Sequence, residues 1–350
     1  MSIAKPERSE QLAAVNLDPT IPASMANATN VAEYGFEGRF ADWADEARYF
    51  EYSKAANPIG SGHAPQVPIR QFGPEIYLDR PTGIVPLDLS RELGITTGEA
   101  TSPALLANFV RIRVGEQIDT AVNATSQLYY VLYGRGFAAV DGRLVKFEKG
   151  DFLTLPAGSR SVFYADAETA MYWVHDAPLL RYLGVEAREP RFRATKFARA
   201  DAVAKLEDIA NRPGANDKSR VSVLLANENQ EQSLTITHVL WAMFGVLPAA
   251  QEQRPHRHQS VALDLILDAP PSGCYTLLGT RLDERGEIVD PIRVDWQAGG
   301  AFTTPPGMWH AHYNETDTPA HLIPIQDAGL QTYLRSLDIK FTQRRDLVAG

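Results

Sequence analysis

A five-position frame occurs twice in this chain, once complete and once stripped of its histidine. Residues 299–314, "GGAFTTPPGMWHAHYN", fit G-x5-P-x-G-x2-H-x3-N through Gly299, Pro305, Gly307, His310 and Asn314. Residues 150–165, "GDFLTLPAGSRSVFYA", fit it through Gly150, Pro156 and Gly158, with Ser161 in the His place and Ala165 in the Asn place. An upstream segment accompanies each copy, with the spacing G-x5-H-x-H-x3-E-x6-G. The first half keeps Gly115 and Gly134 but has Ala121 and Asn123 for the histidines and Gln127 for the Glu. The second half keeps His256 and His258 but has Ala250, Ala262 and Ala269 for Gly, Glu and Gly. Recurrence at fixed spacing demands two copies of one supersecondary unit.

The segments between these markers read as short strands. "FVRIRV" alternates Val110, Ile112 and Val114 with Arg111 and Arg113, the period-2 pattern of a half-buried strand. "FAAVDGRLVKF" signals a hairpin, because Asp141-Gly142 suits the positive φ angles of a type I′ turn. Further strands are expected in "DFLTLPAG", "SRSVFYA", "MYWVHD", "SLTITHVLWAMFGVL", "VALDLILDA", "YTLLGTRL", "PIRVDW", "AFTTPP" and "AHLIPI". Many short strands with Gly/Pro turns make an all-β sandwich or barrel, and the recurrence makes two. Helices are expected over 40–57, ended by Pro58 and Gly60, and within 201–220. The expected organisation is an N-terminal extension, 1–75, partly helical; a metal-free barrel, 76–200; a linker with a short helix, 201–230; and a metal-binding barrel, 231–350.

Composition excludes several classes of partner. At 44% hydrophobic and 22% charged, 350 residues suffice for two cores. A formal charge of -9 argues against nucleic acid, whose binders carry a basic stripe. No apolar run approaches the roughly 18–20 residues that span a bilayer, and "MSIAKPERSEQLAAVNLDPT" has no apolar signal core, so a cytoplasmic location without membrane contact is expected. Cys274 is the single cysteine, which rules out an intrachain disulfide.

At the two frames the chain resembles the cupin superfamily, in its two-barrel or bicupin form, over residues 76–340. The resemblance implies two β-barrels, one with its metal ligands erased and one with them kept. Residues i and i+2 of a strand share a face, about 6.5–7 Å apart along the backbone, so His256 and His258 project together and His310 joins them from another strand. Three imidazoles on one face of an ion leave the open positions that non-haem Fe(II) uses for substrate and oxygen. Among cupins, "HRHQSVALD" and "WHAHYN" are similar to the ring-cleaving dioxygenases of the gentisate 1,2-dioxygenase kind. That resemblance implies His256, His258 and His310 as Fe(II) ligands, with Mn or Zn as alternatives. It implies His312 as a residue that contacts substrate. For the base that removes a phenolic proton the candidates are His312 and Asp264, His312 first because an imidazole titrates near neutrality.

One departure bears on the substrate. Asp264 stands where the gentisate family has an arginine for the substrate carboxylate, and it shares a face with Ala262 and His258. A carboxylate facing another carboxylate costs several kcal/mol when both are buried, whereas Asp264 can accept a hydrogen bond from a phenol or take its proton. The chain also resembles the large subunits of hydroquinone 1,2-dioxygenases, degenerate bicupins with iron in the second barrel. The leading expectation is therefore an extradiol-type ring-cleaving dioxygenase acting on hydroquinone or a substituted hydroquinone with O2. An oligomer is expected, and the hydroquinone group adds the option of a smaller second subunit. The alternatives are a gentisate or salicylate dioxygenase, with Arg257, Arg111 or Arg293 reading the carboxylate, a non-oxidative metal-dependent isomerase or hydrolase, and a non-catalytic storage-type bicupin. Trp309, Trp241, Tyr275 and Phe302 are aromatic candidates for the pocket wall. His238 is expected in the core, and His63, His175 and His321 are assigned no role.

Overall fold

Four antiparallel sheets hold the regular structure from Pro58 onward, in a computed structural model that describes residues 44–214 and 221–342. They pair off as two barrels of cupin type. The first barrel joins a six-stranded sheet, in the order Thr195–Phe197, Phe152–Pro156, Ser126–Tyr133, Thr169–His175, Leu106–Ile112 and Gly83–Pro86, to a four-stranded sheet. That second sheet runs Gln117–Asp119, Ser161–Ala165, Arg135–Val140 and Arg143–Glu148. The other barrel joins Gln71–Phe72, Ala301–Thr304, Ala262–Asp268, Ala320–Gln326, Trp241–Leu247 and Val221–Leu225 to a five-stranded sheet. The latter runs Ile292–Asp295, Cys274–Gly279, Trp309–Asn314, Gln251–Arg257 and Lys340–Phe341.

The central strands of each six-stranded sheet are buried on both faces. One face looks into its own barrel: Val110, Ile112, Tyr129 and Phe163 fill the first interior, and Ile266, Leu278, Trp296 and Phe302 the second. The opposite faces share one core, with Phe109, Leu128 and Tyr172 from the first sheet and Leu263, Leu265 and Ile323 from the other. Each such side chain contributes about 1.5–3 kcal/mol when fully buried. This arrangement corrects the half-buried reading of "FVRIRV". Leu106–Ile112 is buried along its whole length, Arg111 included, while Val114 lies beyond the strand and is exposed. Arg111 is accommodated by an ion pair with Glu168 and by the ring of Tyr133, 5.6 Å from its guanidinium.

The turns expected from sequence carry the backbone they need. Asp141 and Gly142 have φ of 48° and 76° and close the hairpin of Arg135–Val140 with Arg143–Glu148. The repeated glycines match as well: Gly150 and Gly299 sit at 91° and 79°, Gly158 and Gly307 at 75° and 74°. These values lie in the left-handed region that costs glycine least.

Two strands lie outside the domain bounds expected for them. Gln71–Phe72, placed in the extension, pairs with Ala301 and Phe302, and Ile69 packs against the second barrel's interior cluster. Val221–Leu225, placed in the linker, pairs with Trp241–Leu247. Helix Arg199–Ala210 does form and buries Ala202 and Leu206. Within "SLTITHVLWAMFGVL" only Trp241–Leu247 is strand, because the threonines before it bond locally: Thr235 Oγ1 donates to Thr237 O, and Leu240 N to Thr237 Oγ1. Residues 44–57 fall in a separate unit, ending at Asn57. Of the helix expected over 40–57, residues 40–43 lie outside the described residues and the rest yields one turn, Tyr52–Ala55. That turn has no buried residue, so no apolar face supports a longer helix.

Candidate metal centre

Gln251–Arg257 and Trp309–Asn314 are hydrogen-bonded neighbours, and their pairing is irregular where it matters. Gln253 opposes His312 and His256 opposes His310, so Arg254 and Pro255 together face Ala311 alone. A bulge of this kind re-aims the side chains beside it. His258 lies just past the strand end, where Gly307 N–H donates to its carbonyl at 2.7 Å. The Pro305–Gly307 turn of the frame thereby ties the two histidine segments together.

Four buried imidazoles converge. The ring centres of His256 and His310 are 4.0 Å apart, those of His258 and His310 5.0 Å, and those of His256 and His258 6.3 Å. His312 lies 5.8 Å from His256 and 5.7 Å from His310. On distance alone, the tightest set is His256, His310 and His312, whose candidate donor atoms all lie within 4.8 Å of one another. The hydrogen bonds favour a different set.

His256 Nδ1 is 3.0 Å from Arg254 O, His258 Nδ1 2.9 Å from Ser260 O, and His310 Nδ1 3.1 Å from Met308 O. A carbonyl only accepts, so each Nδ1 carries the hydrogen and the lone pair resides on Nε2. That tautomer, fixed by an outer acceptor, is the one a metal-ligating histidine requires. His312 is held differently. Trp296 Nε1, which can only donate, bonds Thr276 Oγ1 at 2.8 Å, and Thr276 Oγ1 lies 2.8 Å from His312 Nδ1. With one lone pair taken by Trp296, Thr276 Oγ1 has both its hydrogen and a second lone pair to offer His312 Nδ1, so this bond is compatible with either tautomer of His312. The hydrogen bonds of His256, His258 and His310 share the tautomer a metal ligand uses, and His312 is tied instead to a side-chain hydroxyl.

Two glutamines border the cluster. Gln326 Oε1 accepts from Ser260 Oγ at 2.8 Å, which turns Gln326 Nε2 toward His258 Nε2 at 3.5 Å. Gln253 Nε2 approaches His256 Nε2 at 3.5 Å. Sequence reading missed both, since neither lies in the repeated frame. Asp264 is buried in Ala262–Asp268 on the side of Ile266, facing the barrel interior, and Thr304 Oγ1 donates to its Oδ2 at 2.7 Å. Asn314 closes the frame: its Nδ2 donates to Leu247 O, Pro248 O and Thr318 O, and its Oδ1 accepts from Thr316 N.

The aromatic candidates separate. Phe302 belongs to the interior cluster, and so does Trp296, 5.7 Å from His312, which the sequence did not mark. Tyr275 stacks on Tyr313 and carries Arg293 over its face, on the side away from Cys274 and Leu278 of the interior. Trp309 packs under Arg257 at 5.1 Å, and Trp241 belongs to the strand beside Val221–Leu225. Arg293 is bonded to Asp295, and Arg111 belongs to the first barrel. In that barrel Tyr129 fills part of the interior, fully buried, its hydroxyl 2.9 Å from both Thr120 Oγ1 and Gln127 Oε1. His238 Nε2 lies 2.9 Å from Thr125 Oγ1, while its buried Nδ1 has no hydrogen-bond partner, so the imidazole is half satisfied.

No protein-family model matches the chain. Over 93 residues it is 32% identical to the 5-nitrosalicylic acid 1,2-dioxygenase of a Bradyrhizobium species, covering 26% of this chain and 45% of that protein. Over 164 residues it is 28% identical to gentisate 1,2 dioxygenase 1 of Aquipseudomonas alcaligenes, covering 46% of this chain and 42% of that protein. The matched stretches thus span less than half the length of either relative. Among solved structures, a variant salicylate 1,2-dioxygenase of Pseudoaminobacter salicylatoxidans in complex with gentisate superposes with a TM-score of 0.63 at 14% identity, covering 98% of both chains. Among the described residues no helix is long and apolar enough to cross a membrane. Two barrels and an almost full-length superposition give this chain the fold of that salicylate 1,2-dioxygenase.

Proposed function

We propose that the chain is an Fe(II)-dependent 1,2-dioxygenase that opens a hydroxylated aromatic ring of the salicylate or gentisate type. The observation that carries this reading is the shared tautomer of His256, His258 and His310, each with Nδ1 on a backbone carbonyl. The names of the relatives, all 1,2-dioxygenases of hydroxylated benzoates, support the substrate class.

His256, His258 and His310 would hold the iron. Bound Fe(II) supplies the redox chemistry that lets O2 react with a closed-shell ring. The rest falls to the chain itself. His312, held through Nδ1 by Thr276, turns Nε2 to an oxygen of the bound ring, to donate a hydrogen bond to it or to take its proton. Asp264 accepts from a ring hydroxyl or takes its proton. The interior cluster around Phe302 and Trp296 excludes water.

Asp264 favours a second reading, a hydroquinone-type ring without a carboxylate at that position. An anion buried at the interior face repels a substrate carboxylate. Oxygen uptake by the full chain, loaded anaerobically with Fe(II), separates the two. Salicylate or gentisate turnover supports the first reading, turnover of hydroquinone alone the second. No uptake with any of these rings at full iron loading overturns both. Iron stoichiometry checks the ligand set: His258→Ala should lose iron and His312→Ala keep it, and the reverse pattern would make His312 the ligand.

A further inference from the structure

Away from the histidines lies a cavity of about 630 Å³, a size that accommodates a small organic molecule. Ile95, Ala104, Pro178 and Leu179 line it from the first barrel's side, Val261 and Leu330 from the second's. None of the four clustered histidines is among its lining residues. Its wall is apolar apart from a few amides and hydroxyls and one charged group, Asp327, which is 6% exposed. Asp327 Oδ1 accepts from Val261 N at 2.9 Å and Oδ2 from Gln331 Nε2 at 3.3 Å. Among the described lining residues there is no lysine, arginine or histidine. Its own backbone N–H is a third donor to it. A carboxylate has about four acceptor positions, so one is left for a ligand.

We propose that this cavity is a second binding site, for a small amine with an apolar body whose ammonium group pairs with Asp327. The apolar walls take the hydrocarbon part, and the absence of a basic lining residue leaves a buried acid whose charge a cation would neutralise. Burial pushes the Asp327 carboxyl up to about 6, the mark of a carboxylate that lacks a counter-ion. An anionic ligand meets repulsion here, and a neutral one gains no charge pairing. The site also backs onto the metal centre. Gln259 and Val261 line the cavity, while Ser260 between them holds His258 Nδ1 through its carbonyl and hydroxyl oxygens. This inference is independent of the ring-cleavage reading.

Calorimetric titration of the full chain with benzylamine and with benzoate tests it, in the presence and absence of added Fe(II). Benzylamine should bind in both conditions, benzoate about tenfold more weakly or not at all. Asp327→Asn should weaken benzylamine by about tenfold, and Ala104→Phe, which fills the cavity from the opposite wall, should abolish its binding. Equal binding of benzoate overturns the proposal, as does benzylamine binding that requires iron, which locates the amine at the histidines. Unchanged benzylamine binding in either folded variant also overturns it; if Asp327→Asn does not fold, Ala104→Phe decides.

Discussion

Ala250 occupies the position at which the first barrel has Gly115, and both backbones are left-handed there, with φ of 50° and 77°. The local bonds match: Gly115 N–H donates to Ala165 O at 2.8 Å, and Ala250 N–H to Thr316 O at 2.9 Å. The fold thus imposes one conformation on two residues with opposite tolerance for it. A side chain at positive φ costs about 1–2 kcal/mol, and glycine's greater freedom in the unfolded chain gives back about 0.5–1 kcal/mol. Ala250→Gly should therefore stabilise the protein by about 0.5–1 kcal/mol. Gly115→Ala should destabilise it by a similar amount, since an added Cβ there meets nothing within 4 Å and only the backbone is strained. With the sites in different barrels, the double variant should return to within about 0.5 kcal/mol of the parent. Urea denaturation of the four proteins measures this as a shift in midpoint at constant slope. A destabilised Ala250→Gly, or a Gly115→Ala of unchanged stability, would refute the claim that backbone conformation governs this turn.

Two more predictions concern buried polar groups. His175 is buried, its imidazole pushed down to about 3 by desolvation and by Arg181, so the unfolded chain binds the extra proton between pH 6.5 and 3. The stability it confers is complete above pH 6.5 and declines as pH falls toward 3, by on the order of 4–5 kcal/mol; a His175→Leu variant whose acid slope matches the parent's would contradict this. Thr276→Val removes the hydroxyl between Trp296 Nε1 and His312 Nδ1 and should cost on the order of 2–4 kcal/mol. Its turnover should fall while bound iron stays constant, and a parallel loss of iron would show that Thr276 supports a ligand.

What the sequence revealed was whatever is encoded within a few residues. The frame glycines declare turns because their φ angles admit little else, and Asp141-Gly142 declares a hairpin for the same reason. The histidine pair and His310 were legible because the frame fixes their spacing. Features set by distant neighbours were not. Arg111 alternates like a solvent-facing residue, yet the other barrel's sheet covers its strand and Glu168 pairs with it. Gln253 reaches His256 only through the bulge at Arg254 and Pro255, and Gln326 reaches His258 across 68 residues of sequence. The role of His312 was ambiguous because it depends on Thr276, in Cys274–Gly279, and on Trp296, just past the end of Ile292–Asp295, segments that carry no marker pointing to one another.

The pairing of Gln71–Phe72 with Ala301 and Phe302 has a consequence for synthesis. These residues leave the ribosome before any part of the first barrel, but the strand that completes their hydrogen bonds is made some 230 positions later. Ile69 waits equally long for the interior it packs against. The first barrel, built from 83 to 197, has its partners in hand much earlier. The sheet edge beside Asp264 and Thr304 is thus covered by a segment made long before it, so the barrel that carries the four clustered histidines closes only when most of the chain has emerged.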